Sequence, residues 1–220
     1  GNIIESVETF VTFPNETGYL NFKGTLSGNT AFIFRADVCY KYGTEVVSEV
    51  CVLESMIDVA SGAICDPSET KSVFSSGSPV RVDSFRQSVV GKDKLQFSFD
   101  IVHSGSGEVF IEDNEFSQCP KSPSERRSKE DKVNVSVKTG LPVVTTSPAT
   151  APLKCVGLTD STSESLSKGD VKLVSGRRTI TCTQTLKADR TDFKKAVNIN
   201  LTFNYLENVD REVLVKHLID

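Results

Sequence analysis

The chain has 220 residues, 38% of them hydrophobic, and a formal net charge of −4. This length suits one large domain or two modest ones, and the acidic balance argues against nucleic-acid binding, which needs clustered positive charge. No run of about eighteen apolar residues occurs, so the sequence predicts no membrane span, and no signal peptide is visible.

The first part of the chain shows apolar residues at every second position, the period of a half-buried strand. Residues 6–13 and 18–26 alternate on either side of the turn-forming stretch "PNETG". Longer alternating segments follow at 30–42 and 46–53. Residues 54–78 are irregular and end in the stretch "SSGSP", which is typical of a loop.

The second part of the chain repeats this alternation, with the Gly-rich stretch "HSGSG" predicted as a hairpin turn between two strands. The Pro- and Thr-rich stretch 140–152 is predicted to be extended, and "SESLSK" and "RTDFKKA" are predicted to form at most a helical turn. The predicted strands are 80–85, 94–102, 108–112, 132–138, 153–158, 170–174, 178–186 and 195–218. Many short strands with frequent turns predict an all-β protein of two immunoglobulin-like antiparallel β-sandwich domains, stapled by disulfides.

Two segments of the chain share one pattern. Setting Tyr42 against Tyr205 aligns 34–53 with 197–216 without a gap, and the inward-facing positions keep the same phase. We interpret both segments as long β-hairpins, the first with its turn near Glu45. The match favours duplication of a sandwich unit, although two hairpins can share a phase by chance.

The duplication predicts a boundary near residue 78. Residues 1–78 would form an N-terminal unit, and residues 79–220 would form a C-terminal immunoglobulin-like sandwich. The first unit has few clear strands for a closed sandwich, so we expect it to be incomplete. Its N-terminal strand, residues 3–13, would then be available for strand exchange.

The even number of cysteines in a chain rich in Ser and Thr predicts three disulfides and an oxidising compartment. A turn near Glu45 would place Cys39 directly across from Cys51 on the outer face of a hairpin. Cys155 and Cys182, in neighbouring predicted strands, form a second pair, which leaves Cys65 with Cys119. Six cysteines allow many pairings, so others, including one between Cys51 and Cys65, stay open.

Sequence motifs for catalysis and metal binding are weak. No two cysteines have zinc-ligand or redox C-x-x-C spacing, and the two histidines, His103 and His217, are far from them in sequence. Ser104 and Ser106 lie in a Gly-rich stretch, but neither has the G-x-S-x-G pattern of a nucleophile elbow. We therefore expect no enzymatic activity, no catalytic residue, no metal and no cofactor.

A small acidic cluster follows one of the predicted strands. It consists of Glu112, Asp113 and Glu115. Carboxylates at this spacing can bind calcium, but a solvated loop is the stronger interpretation.

Three N-x-[ST] sequons predict glycan attachment at Asn15, Asn134 and Asn200. Asn15 lies in a predicted turn. The other two alternate with apolar neighbours, so their side chains are expected to point outward and to accept glycans without disturbing a core. The stretch "TTSPAT" is a weaker candidate for O-linked sugar.

The stretch "VRVDSFRQSVVGKDKLQFSFDIVHSGSGEVFI" (80–111) resembles CARDB-like and related immunoglobulin-like modules of prokaryotic, archaeal-type cell-surface proteins. The shared pattern is an alternating strand, a Gly-rich turn and another strand, with His103 where those modules usually have Asn. Parts of 153–186 also look like archaeal envelope proteins. The resemblance implies a cell-surface β-sandwich and carries no catalytic residues.

These observations predict a non-enzymatic structural subunit of an extracellular cell-surface assembly, a filament or pilus built by β-strand addition. Its main partner would be another copy of the chain. The residues expected to contact the next subunit are Ile3, Ile4, Val7, Phe10, Val11 and Phe13. The alternative is a membrane-anchored ectodomain that binds a protein or glycan, and an enzyme is a distant third.

Overall fold

The computed structural model describes residues 28–112, 119–142, 153–162 and 165–216, together with residues 12, 17 and 24. The described residues form twelve strands and one short helix, which confirms the all-β prediction. The elements are β1 (Thr30–Val52), β2 (Thr70–Lys71), β3 (Phe74–Ser75), β4 (Val80–Val89), β5 (Lys94–His103), β6 (Glu108–Phe110), α1 (Pro123–Lys129), β7 (Lys132–Lys138), β8 (Lys154–Cys155), β9 (Asp160–Thr162), β10 (Leu166–Lys172), β11 (Arg177–Thr185) and β12 (Phe193–Val215).

The strands form two antiparallel sheets. Sheet A has the order β3-β1-β12-β7-β10-β9, with β6 also beside β12, and sheet B has the order β2-β4-β5-β11-β8. Alternation sends every second side chain inward, as in β7, where Val133, Val135 and Val137 are fully buried. Buried residues of both sheets belong to one hydrophobic cluster, so the sheets pack face to face as a sandwich.

The chain divides into two compact units, but not at residue 78. One unit contains Gly1–Arg35 and Asp210–Asp220, and the other contains Ala36–Val209. Strands from both predicted domains are neighbours, since β1 lies beside β12 and β2 beside β4. The described sandwich is therefore one unit with a single core, because the last strand of the chain returns to pair with the first described strand.

The two predicted hairpins are instead single strands. β1 and β12 each run for 23 residues. No turn forms near Glu45, because Thr44 is buried and its hydroxyl donates to the carbonyl of Val80 at 2.6 Å. Tyr42 stacks on Phe203 with ring centroids 5.7 Å apart. The matching pattern of 34–53 and 197–216 thus reflects two neighbouring strands that share an inward face.

Three disulfides join the six cysteines. The prediction for Cys155 and Cys182 is confirmed, and these residues lie directly opposite each other on β8 and β11. The other two predicted pairs are wrong, since the observed disulfides are Cys39–Cys119 and Cys51–Cys65.

The continuity of β1 explains the two wrong pairs. Cys39 and Cys51 lie twelve positions apart on one straight strand, which separates them by about 40 Å at about 3.3 Å per residue. Cys51 is also 1% exposed, so it faces the core and not the outer surface as predicted.

The helix α1 occupies a stretch that the sequence analysis did not predict to be helical. Its N-cap, Ser122, accepts a hydrogen bond from the backbone of Glu125, and the Glu125 side chain accepts from the backbone of Ser122. This capping box, with Pro123 in the first turn, is a recognisable helix start. In the two stretches predicted as helical turns, residues 166–168 begin β10 and residues 193–196 begin β12, while residues 163 and 164 lie outside the described residues.

The stretch "HSGSG" connects the two sheets. It leads from β5 in sheet B to β6 in sheet A, so it is not the hairpin turn predicted from the sequence. The backbone N–H of Gly107 donates to the Tyr205 hydroxyl at 2.7 Å. A Cβ atom at Gly107 would lie 2.8 Å from the Tyr205 ring, so this close approach requires glycine.

Candidate functional site

Apolar side chains are exposed where β1 begins and β12 ends. Ile33 and Phe34 are 74% and 42% exposed, and Val213 and Leu214 are 43% and 52% exposed. Adjacent residues of a strand point to opposite faces of the sheet, so apolar side chains are exposed on both faces. We call these four residues the strand-end surface.

The predicted contact strand belongs to the same unit as the strand-end surface. Apart from residue 12, residues 3–13 lie outside the described residues, but Gly1–Arg35 and Asp210–Asp220 belong to one compact unit. The alternating N-terminal segment and the strand-end surface are therefore both features of this unit.

The unit Ala36–Val209 contains an apolar pocket of about 340 Å³, which we call the end pocket because Val52 ends β1 and Phe193 begins β12. Its volume lies at the lower end of the range for ligand sites, about 300–1,000 Å³. Val52, Leu141 and Leu186 form a buried apolar floor, each at most 6% exposed. The other lining residues are Pro142, Lys187, Asp189, Arg190, Thr191 and Phe193.

Arg190 fixes one wall of the end pocket. Its side chain is 6% exposed and pairs with Asp93 at 2.7 Å. The guanidinium also donates to the carbonyls of Leu53 at 2.6 Å and Lys92 at 2.7 Å. A third carbonyl, that of Lys187, accepts at 2.5 Å. These bonds hold residues 187–190 against the C-terminal end of β1 and the β4–β5 connection.

A buried hydrogen-bond network supports the end pocket at Leu141. The Thr139 hydroxyl donates to Gln184 Oε1 at 2.6 Å, and Gln184 Nε2 donates to the Ser165 hydroxyl at 3.3 Å. Ser165 in turn donates to the carbonyl of Leu141, which lines the pocket. Thr139, Gln184 and Ser165 are each at most 2% exposed, so the network stabilises this wall from inside the sandwich.

His103 and Ser104 form no nucleophile–base pair. His103 packs its ring edge-on against Tyr205 at 5.9 Å, and its buried Nε2 has no hydrogen-bond partner among the described residues. Burial lowers the pKa of His103, and the nearby Asp131 carboxylate opposes this in part. Ser104 is exposed, and its hydroxyl accepts from Arg81 at 3.3 Å.

The acidic cluster is only partly described. Glu112 pairs with Lys41, while Asp113, Glu115 and the second histidine, His217, lie outside the described residues. Burial alone would raise the pKa of Glu112, but the hydrogen bonds from Lys41 and Thr202 hold it below its ordinary value. Within the described ranges no three His, Cys, Asp or Glu residues are grouped as metal ligands would be.

Two of the three sequons face each other across neighbouring strands. Asn134 lies opposite Thr202, and Asn200 lies opposite Ser136, so the acceptor of each sequon is paired with the hydroxyl residue of the other. Asn200 is exposed, whereas the Asn134 amide donates to Asp170 at 2.9 Å. The third sequon residue, Asn15, lies outside the described residues.

Comparisons with protein-family models, with curated proteins and with solved structures gave no match. The resemblance to CARDB-like modules stays a prediction. In the described part of the chain, no helix has the length and apolar character needed to cross a membrane. The three disulfides indicate that the chain folds in an oxidising environment.

Proposed function

We propose that the protein is a non-enzymatic structural subunit of an extracellular cell-surface assembly in which copies join by β-strand addition. The observation that carries this proposal is the strand-end surface. Exposed apolar side chains on both faces of two neighbouring strands are typical of an interaction site, and a second copy would remove them from water.

The sequence of residues 3–13 supplies the donated strand. Strand addition gives backbone hydrogen bonds to the whole segment and pockets to alternate side chains, which suits its alternation of apolar and polar residues. The disulfides would keep each subunit folded outside the cell. The resemblance of residues 80–111 to CARDB-like modules supports the same archaeal-type surface location.

The proposal predicts concentration-dependent assembly of the full chain. Analytical ultracentrifugation and negative-stain electron microscopy should show linear oligomers, and deletion of residues 1–13 should leave folded monomers. The double variant Ile33→Ser/Leu214→Ser should also weaken assembly. Val156→Ser is the matched control, since Val156 is 72% exposed but belongs to the other unit. A full chain that stays monomeric at every concentration would contradict the proposal.

The alternative is a membrane-anchored ectodomain that binds a protein or glycan, and the end pocket is the feature that favours it. A monomeric chain that binds one component of a glycan or peptide array, with the pocket variants described below losing that binding, would support this second function.

A further inference from the structure

We propose that the end pocket of one copy receives apolar side chains from the N-terminal segment of a second copy, with Phe13 as the main anchor. This inference rests on the proposed function, because it names the surface on which the donated strand binds. It also assigns a role to the two buried networks around the pocket.

The walls of the end pocket are built before any ligand arrives. Buried polar groups are costly unless they are hydrogen-bonded. The Arg190 and Gln184 networks satisfy such groups by bonding to the backbone of pocket-lining residues, and this fixes the position of that backbone. A rigid receptor loses little conformational entropy on binding.

The sequence of the N-terminal segment supplies side chains that suit this pocket. In an extended strand Val11 and Phe13 point to the same side, about 6–7 Å apart. A cavity of about 340 Å³ accommodates one aromatic ring and a neighbouring branched side chain. The fourteen residues 14–27 connect Phe13 to the described part of the chain, and fully extended they would span at most about 50 Å, which allows Phe13 to reach a neighbouring copy.

The two contact surfaces belong to different units of the chain. The donated segment and the strand-end surface lie in one unit, and the end pocket lies in the other. A contact between two different surfaces is heterologous, and repeated without closure it generates an open filament. The pocket therefore supplies the receiving half of the interface that the proposed function requires.

The test uses two defective full-length chains. Thr191→Trp places an indole at the pocket mouth, because Thr191 is exposed and lines the pocket. Val11→Asp/Phe13→Asp removes the donated apolar side chains. Thr183→Trp is the matched control, since Thr183 is also exposed but lies on β11 away from the end pocket. Lys187→Trp, at a second exposed rim position, repeats the block if Thr191→Trp does not fold by circular dichroism.

We expect each defective chain alone to stay monomeric in analytical ultracentrifugation, and an equimolar mixture to give dimers and nothing larger. One intact donor and one intact pocket remain in that mixture. Thr183→Trp should assemble as the wild type does. If the wild type assembles and both rim variants assemble equally well, the pocket assignment is overturned while the proposed function stands.

A peptide experiment tests whether the N-terminal segment binds in the end pocket, independently of filament formation. A fluorescent peptide with the sequence of residues 1–13 is titrated into the Val11→Asp/Phe13→Asp chain, with anisotropy as the readout. Adding Thr191→Trp to that chain should weaken binding by at least about tenfold, and adding Thr183→Trp should not. Equal binding by both chains would overturn the inference. A wild-type chain that stays monomeric would contradict only the proposed assembly. If that chain's pocket binds the peptide and Thr191→Trp abolishes the binding, the pocket assignment is still supported.

Discussion

The side-chain amide of Gln87 forms two hydrogen bonds with the backbone of Cys51. Its Oε1 accepts from the Cys51 N–H at 2.8 Å, and its Nε2 donates to the Cys51 carbonyl at 2.7 Å. Both residues are 1% exposed. Gln87 belongs to β4 in sheet B and Cys51 to β1 in sheet A, so this pair joins the two sheets through the core.

Replacing Gln87 with Leu should lower the free energy of unfolding by about 2–3 kcal/mol, because a buried N–H and a buried carbonyl lose their partners. Urea denaturation of the two proteins measures this difference. Gln96→Leu on β5, where the side chain is half-buried, should change the stability much less. Equal effects of the two variants would show that the Gln87 bonds contribute nothing.

Arg190→Met should destabilise the protein by about 2–4 kcal/mol. The change removes a buried cation that satisfies three carbonyls and the Asp93 carboxylate. The exposed Arg86→Met on β4 is the control and should stay within about 0.5 kcal/mol of the wild type. Hydrogen exchange should also be faster at residues 187–191 in Arg190→Met, and unchanged exchange there would contradict a wall-holding role.

Non-reducing peptide mapping should recover Cys39 linked to Cys119. This disulfide spans 80 positions, and the Cys51–Cys65 disulfide spans 14. Loop-closure entropy therefore predicts a loss of about 4 kcal/mol for Cys39→Ala/Cys119→Ala and about 3 kcal/mol for Cys51→Ala/Cys65→Ala in guanidinium denaturation. A peptide joining Cys39 to Cys51 would refute the continuous β1 strand.

The stability of the fold should decrease as the pH falls below about 6.5, the ordinary histidine pKa. Burial lowers the pKa of His103 in the folded state, so between this lower value and about 6.5 the unfolded chain binds more protons than the folded one. Urea midpoints measured between about pH 7.5 and pH 5.5 should shift less in His103→Phe. A midpoint shift in His103→Phe as large as that of the wild type would contradict this prediction.

Expression in a glycosylating host should attach a glycan at Asn200 in preference to Asn134. The Asn200 side chain is exposed, while the nitrogen of Asn134 that a glycan would modify already donates to Asp170. Intact mass spectrometry should show a loss of glycan mass in Asn200→Gln and little change in Asn134→Gln. The opposite pattern would contradict this assignment.

Alternation alone predicts the strands that line the core and the outer phase of Asn134 and Asn200. It does not by itself place Cys155 beside Cys182, because β9 and β10 lie between their strands in sequence. The pattern "SPSE" at the start of α1 is typical of a helix N-terminus, so this helix could have been predicted from the sequence.

Long-range contacts explain why the extended course of β1 and the end pocket could not be predicted from the sequence. The stretch "YGTE" has the composition of a turn, and it is extended because Thr44 reaches the carbonyl of Val80, 36 positions away. The end pocket depends on Arg190 meeting Leu53 and Asp93, 137 and 97 positions away. No local pattern encodes such meetings, since they exist only after the sheets have packed.

The unbroken course of β1 and β12 has a mechanical consequence. In sheet A, β12 has β1, β6 and β7 as hydrogen-bonded neighbours, so a pull along β12 acts on the bonds to all three strands. A force in that direction shears the hydrogen bonds between β12 and its neighbours together, whereas a force across the sheet would open them one at a time. The chain is thus built to resist tension along its two longest strands.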